Sequence, residues 1–192
     1  MLIIRSLIFS VLIPSIPGRE AMRAALIEKI QKQIDECGAN VEILCLIDNR
    51  KRSVGEKRQA LLDIARGEYV AFVDDDDDVL DGYVSRIVAA SVTHPDVIVF
   101  DSFCTLDPDA PVLVTHVVGT DDQQYSTFGF SRGAWHIHAW RRGLVEDARF
   151  PAVNYAEDIA WLEHVRPLIT TSIRIEAALY HYRFNREVTA TQ

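Results

Sequence analysis

The sequence predicts an α/β domain, Rossmann-like, with a mainly parallel central sheet flanked by helices. Two observations predict it. Short apolar runs alternate with helical patterns through the first hundred residues, the signature of βαβ units. Apart from Ser10 and Glu42 the runs are also apolar throughout rather than alternating, as expected of strands covered on both faces.

Leu7–Ile13 is the first strand, closed by Pro14-Ser15-Ile16-Pro17-Gly18. It belongs to a longer apolar run, Met1–Ile13, that resembles a signal peptide in composition alone. No small-residue cleavage site follows it, and it is too short to span a bilayer, so a buried strand is the expectation. Met22, Leu26, Ile30 and Ile34 recur every fourth residue and predict a helix ended by Gly38. Val41–Ile47 is a second strand, ending at Asp48. After a polar loop, Ser53 and Glu56 have capping-box spacing and open a helix that stops at Gly67. Tyr69–Val73 is a third strand and runs straight into Asp74-Asp75-Asp76-Asp77-Asp78. A helix carrying Tyr83, Val84, Ile87, Val88 and Val92 follows, then a fourth strand over Val97–Phe100.

Beyond residue 105 the pattern changes. Val112–Val118 is strand-like, and Gly119–Phe130 is a polar loop. Trp135, His136, His138, Trp140, Arg141 and Arg142 form an aromatic and basic stretch. A helix starts near Ala156, and Ser172–Phe184 is a closing strand. No linker or repeat divides the chain, so one domain over 1–192 is expected, with halves meeting near 105/106.

With 48% apolar and 25% charged residues among 192, disorder is excluded. The net charge is −8, and Asp74–Asp78 carry five of the negative charges. Acidity is therefore local, and a general nucleic-acid-binding face is not expected. Cys37, Cys45 and Cys104 are odd in number and lack CxxC spacing, which points to reduced thiols and a cytoplasmic protein without a transmembrane segment.

The acidic run carries the chemistry. Two like charges 4 Å apart cost roughly 4 kcal/mol at an effective dielectric of 20. A hard divalent cation relieves such crowding through oxygen ligands. An EF-hand is excluded, because the sixth position from Asp74 is Val79 and the twelfth is Ser85. Mg²⁺ or Mn²⁺, shared between a few carboxylates and substrate phosphates, fits instead. Asp48 and the run both end strands, where ligands of parallel sheets bind.

The stretch from Ser53 to Leu62, continued by Ala65-Arg66-Gly67-Glu68-Tyr69-Val70-Ala71-Phe72-Val73 and the aspartates, resembles glycosyltransferase family 2. There a Gly-x-Lys-Arg-Asn-type helix leads into a GEYIAFxDxDD strand, a DxD motif. Arg149-Phe150-Pro151 with Glu157-Asp158 resembles the family's FP…ED element, and Leu179-Tyr180-His181-Tyr182-Arg183 its LYxYR strand. The resemblance runs from about Phe9 to Arg186. Gln59 departs from the family's Asn, and Asp48-Asn49 from its Asp-Asp-Gly-Ser.

The resemblance implies a GT-A fold, with a nucleotide-sugar-binding half to about residue 105 and a smaller acceptor-binding half after it. It also implies transfer of a sugar from a nucleoside-diphosphate sugar, first of all a UDP-sugar, to an unknown acceptor hydroxyl, with inversion. Asp48 would accept from the base, Asp74 would hold the ribose or phosphate side, and Asp76 would bind Mn²⁺ or Mg²⁺. Asp74 and Asp75 share the register, either being able to serve ion or nucleotide. Arg58 would lie near the nucleotide, and Asp158, with Glu157 beside it, would be the general base. For Glu157-Asp158 the competing reading is a pair of acids complementing a helix dipole. His136 and His138, on one face of a strand, read as a partly buried structural pair, with metal or acceptor binding as the alternative. His181 is a further candidate metal ligand, and Trp135 and Trp140 are packing residues or sugar platforms. The rival functions are a non-catalytic sugar-nucleotide-binding module, a nucleotidyltransferase and an Asp-nucleophile phosphohydrolase. The second lacks a Gly-rich loop after its first strand. In the third, the aspartates would follow the first strand.

Overall fold

Among the described residues, apolar strands and amphipathic helices assemble into a nine-stranded sheet covered by helices. The computed structural model describes residues 6–184. Met1–Arg5 of the N-terminal apolar run and Arg186, at the end of the resemblance, lie outside the described residues. The strands are β1 Phe9–Ser15, β2 Val41–Ile47, β3 Tyr69–Phe72, β4 Asp78–Val79, β5 Val97–Leu106, β6 Val112–His116, β7 Phe130–Arg132, β8 Ala139–Arg141 and β9 Ser172–Phe184. The helices are α1 Glu20–Cys37, α2 Val54–Ile64, α3 Tyr83–Ser91, α4 Arg142–Val145 and α5 Glu157–Val165.

The order across the sheet is β2-β1-β3-β8-β5-β6-β7. β1 pairs in parallel with β2 and β3, as the alternating pattern predicts, and β9 runs parallel to β5. Short antiparallel β8 lies between β3 and β5. Pro14 sits inside β1 without breaking it. Its register pairs it with Leu46 of β2, while pairing with β3 ends at Leu12, so its missing N–H falls where the ladder has one side.

The α1 helix ends where Gly38 takes the left-handed conformation and donates to the Ile34 carbonyl at 2.8 Å. The capping box of α2 forms as its spacing predicts, with Ser53 and Glu56 each bonding the other's backbone N–H. One core cluster packs α1 and α3 on the sheet through Leu26, Ile30, Tyr83 and Ile87. A second packs α2 and α5 through Leu61, Leu62, Trp161 and Val165. Among the described residues no helix is long and apolar enough to cross a membrane.

Gly55, in the first turn of α2, sets the approach of the loop before α5. A Cβ at this position would stand 1.8 Å from the Pro151 carbonyl oxygen. Gly55→Ala is therefore expected to lose roughly 1–3 kcal/mol of stability. Gly143→Ala, in α4 with open space around it, should be neutral or slightly stabilising. Urea titration of both variants checks this, and equal losses would contradict the close-approach argument.

Candidate active site

The five consecutive aspartates meet five different environments, because β3 ends at Phe72 and a turn and β4 re-aim the chain. Asp74 accepts two hydrogen bonds from Arg58 Nη2, at 2.9 and 3.1 Å. Asp75 accepts from the Ser15 hydroxyl and from Arg19 Nη1, each at 2.6 Å. Asp76 lies 3.2 Å from Arg19 Nη2. Asp77 accepts from the Tyr180 hydroxyl at 2.6 Å and the Arg183 N–H at 2.7 Å. Asp78 pairs with Lys29 at 3.0 Å and Arg183 at 2.8 Å. The last two thereby tie the run to β9, while Asp75 ties it to β1.

Asp74 and Asp76 line a cavity of about 550 Å³ together with Arg58, Trp135, His136, Glu157 and Asp158. Residues from the end of β3, from α2 and from the start of α5 thus converge. Asp75 turns the other way, toward a small cleft beside Pro14, Ser15 and Lys57. Asp48 stands apart from the large cavity, at the end of β2. Its carboxylate accepts from the backbone N–H groups of Arg50, Lys51 and Arg52 at 3.2, 3.1 and 2.7 Å. Buried Lys57 links the two sides, with Nζ 3.9 Å from Asp48 and 3.3 Å from the Ser15 carbonyl.

Arg58 is buried, not an exposed helix charge. Besides holding Asp74, its Nε donates to Glu157 at 3.0 Å, and the guanidinium lies over the Phe72 ring at 5.2 Å. His136 sits between the two acidic groups, 3.1 Å from Asp158 and 3.8 Å from Asp74. These contacts lie off the hydrogen-bond direction. Neither ring nitrogen of His136, nor Nη1 of Arg58, has an aligned partner among the described residues. Asp158 also accepts from Trp135 Nε1–H at 2.8 Å.

This arrangement separates the carboxylates by acidity. Burial would raise Asp74, but Arg58 and then His136 outweigh it and hold the carboxyl well below the usual range. Burial would likewise raise Asp158, yet His136, Arg58 and Trp135 keep it well below that range. Asp76 goes the opposite way. Burial, with Asp74 and Asp75 nearby, pushes it up to about 6 against the pull of Arg19. Burial and the charges of Asp74 and Asp76 also raise Asp77 well above its ordinary value.

The remaining candidates sort by their bonds. His138 is buried and structural, its Nδ1 accepting from the Trp135 N–H at 2.7 Å and its Nε2 lying 3.1 Å from the Phe100 carbonyl. It makes no pair with His136. His181 Nε2 lies 2.8 Å from the Thr105 hydroxyl, and the residue does not line the cavity. Trp140 is fully buried against Trp161, whereas Trp135 lines the cavity. Arg19, Lys57 and the placement of His136 escaped the sequence reading. Arg19 and Lys57 look like surface charges on helical patterns, and only the fold buries them.

The model of the family described as "Glycosyl transferase family 2" matches residues 20–111. That segment is similar to glycosyl transferase family 2, and the fold is GT-A. Three solved structures illustrate the likeness. The first is S. aureus TarS 1–349 in complex with UDP-GlcNAc, 16% identical, with a TM-score of 0.68 over 96% of this chain and 61% of that one. The second is mannosyl-3-phosphoglycerate synthase from Rubrobacter xylanophilus, 13% identical, with a TM-score of 0.57 over 96% and 70%. The third is a mutant Drosophila β1,4-galactosyltransferase 7 in complex with manganese, UDP-Gal and xylobiose, 12% identical, with a TM-score of 0.54 over 96% and 75%. At such identities the likeness shows the fold. The chain spans 37% of the length of the longer TarS structure and about three fifths of the 1–349 structures. No curated protein matches it in sequence. Within the matched segment lie Asp48, Arg58 and Asp74–Asp76. His136, Glu157 and Asp158 come from beyond it, brought to the cavity by the GT-A fold.

Proposed function

We propose that this protein transfers a sugar from a nucleoside-diphosphate sugar, first of all a UDP-sugar, to an acceptor hydroxyl with inversion, using Mn²⁺ or Mg²⁺. The observation that carries the reading is the convergence of Asp74 and Asp76 with Asp158 in one cavity. The GT-A fold supports it, as do the nucleotide-bound neighbours, UDP and UDP-GlcNAc in TarS.

Among the described residues no three carboxylates or histidines stand together closely enough to hold a metal ion by themselves, so a divalent cation here would be shared between one or two of the lining carboxylates and the donor's phosphates. Four carboxylates, Asp74, Asp76, Glu157 and Asp158, line the cavity with Arg58 and His136. A diphosphate entering this acidic cavity needs further positive charge, and Asp76, raised by burial and then by its acidic neighbours, is the carboxylate best relieved by a metal. Asp76 and Asp74 would hold the ion, whose chemistry is to offset the charge that develops on the departing diphosphate. Arg58 holds Asp74 in place and offers its unpaired Nη1 to a donor oxygen. Asp48, Lys57 and Asp75, on the β1 and β2 side, would form the nucleoside end.

In the transfer step the acceptor oxygen bonds to the anomeric carbon while the bond to the diphosphate breaks. That electron pair leaves on the diphosphate, and the hydroxyl proton passes to Asp158. The contacts that keep Asp158 ionised also weaken it as a base. It therefore takes the proton late, when the attacking oxygen has become acidic. His136 and Trp135 hold its orientation.

Thermal-shift measurements with UDP and GDP, each with Mn²⁺ and with chelator, test the donor half of this reading. Ligand at a hundredfold excess over Kd should stabilise the native protein by about 2.7 kcal/mol. The shift is expected with UDP and Mn²⁺ together and largely lost with chelator. No shift under any condition would remove the nucleotide-sugar reading.

A further inference from the structure

Two chemically unlike sets of residues line the cavity. One is the carboxylate set with Arg58 and His136. The other is apolar and aromatic: Trp135, Tyr155, Ile159, Tyr182 and Phe184. Tyr155 stands out because 88% of it is exposed, although it is a large ring three residues before Asp158. Water contact over a ring of this size is unfavourable, and the fold gains nothing by it.

The loop that presents Tyr155 is held firmly. The Gly55 N–H donates to the Val153 carbonyl at 3.1 Å, and the Val54 N–H to the Asn154 side chain at 3.0 Å. The Phe150 N–H donates to Gln59 at 2.9 Å, so the residue that departs from the family pattern anchors this loop. Ala156 then takes φ +60°, a left-handed conformation unfavourable for a residue with a Cβ. The chain turns there, and Tyr155 and Asp158 come to line the same cavity.

We propose that Tyr155 is the stacking platform of the acceptor site and that the acceptor is a neutral saccharide. This rests on the transfer reading above and adds the acceptor's class to it. A sugar ring suits both sets of residues at once, with an apolar C–H face for Tyr155 and hydroxyls for the carboxylates. An anionic acceptor group would meet net negative charge, since four carboxylates outnumber Arg58 and His136.

The test titrates a panel of neutral mono- and disaccharide methyl glycosides, and the matching uronic acids, into the full chain saturated with UDP and Mn²⁺. Binding is followed by saturation-transfer NMR for wild type, Tyr155→Ala and Tyr155→Phe. At least one neutral glycoside is expected to bind saturably, with its affinity reduced tenfold or more in Tyr155→Ala and kept within about threefold in Tyr155→Phe. The proposal is overturned if no neutral glycoside binds, if a uronic acid binds more tightly, or if Tyr155→Ala binds like wild type. UDP affinity, measured in parallel, should be equal in all three proteins. Absence of UDP binding in all of them would sink the donor reading instead, while the glycoside titration still decides the role of Tyr155.

Discussion

Asp76→Asn is expected to act in opposite directions on binding and on stability. Changes outside the first shell of ligands already cost roughly 10–100-fold in metal affinity, so removing a direct ligand should weaken Mn²⁺-dependent UDP binding by at least that much. The metal-free protein should meanwhile become more stable at neutral pH. In the folded chain the Asp76 carboxyl titrates at about 6, against 3.8 for an ordinary aspartate. The folded state therefore holds this proton more tightly than the unfolded state. Its contribution to stability is present below pH 4 and is lost as the pH rises through 6. The shift corresponds to roughly 1–3 kcal/mol above pH 7, part of it offset because Arg19 loses its ion pair with Asp76. Urea denaturation of both proteins at pH 4 and pH 8 in chelator, with UDP calorimetry at pH 8 with and without Mn²⁺, checks both halves. A variant that keeps Mn²⁺-dependent UDP binding, or is less stable at pH 8, would refute the assignment of Asp76.

Asp158→Asn is expected to lower transfer by 10²–10⁴-fold, the usual worth of a positioned base. Asparagine keeps the shape and an acceptor oxygen for Trp135, so melting temperature and UDP affinity should change little. The readout is single-turnover transfer with the donor saturating and a glycoside acceptor present. Glu157→Gln distinguishes the two neighbours. Glu157 is buried against Arg58, so its loss should disturb donor binding through Asp74 more than the rate of the bound complex. Transfer by Asp158→Asn within a few-fold of wild type would remove it as the base. A wild type that binds UDP and never transfers would leave the binding-module reading.

The donor half of the fold could be read from sequence because its signals are local. Val41–Ile47 is an apolar run broken only by Glu42; Ser53 and Glu56 are three residues apart; and Gly38 ends a four-residue periodicity. Each appears in the structure where expected. The strands that went unread, β4, β7 and β8, are two or three residues long and too short to show a period. Their pairing depends on partners far along the chain, as Asp78 with His181 and Trp140 with Val70 show. The site follows the same division. The acidic run announced itself, but composition cannot say which aspartate faces which way. That depends on Ser15, Arg19, Arg58, Tyr180 and Lys29, which reach the run from four other elements and from the segment just before α1. Tyr155 carries no sequence signal at all, since an exposed and a buried tyrosine are written alike.

The position of β8 bears on how the chain can be made. β3 and β5 are close in sequence, yet they are separated by a strand delivered seventy residues after β3 begins. Until Ala139–Arg141 has emerged during synthesis, the inner edges of β3 and β5 have nothing to pair with at that seam. Sheet closure must then wait again for β9, which runs along the full length of β5. Long-range pairing of this kind slows folding and leaves strand edges open meanwhile. The segment that matches the family model is therefore not a body that can assemble first and receive the rest. Both halves are stitched through one sheet, and the aspartate run is finished only once Tyr180 and Arg183 of β9 have emerged.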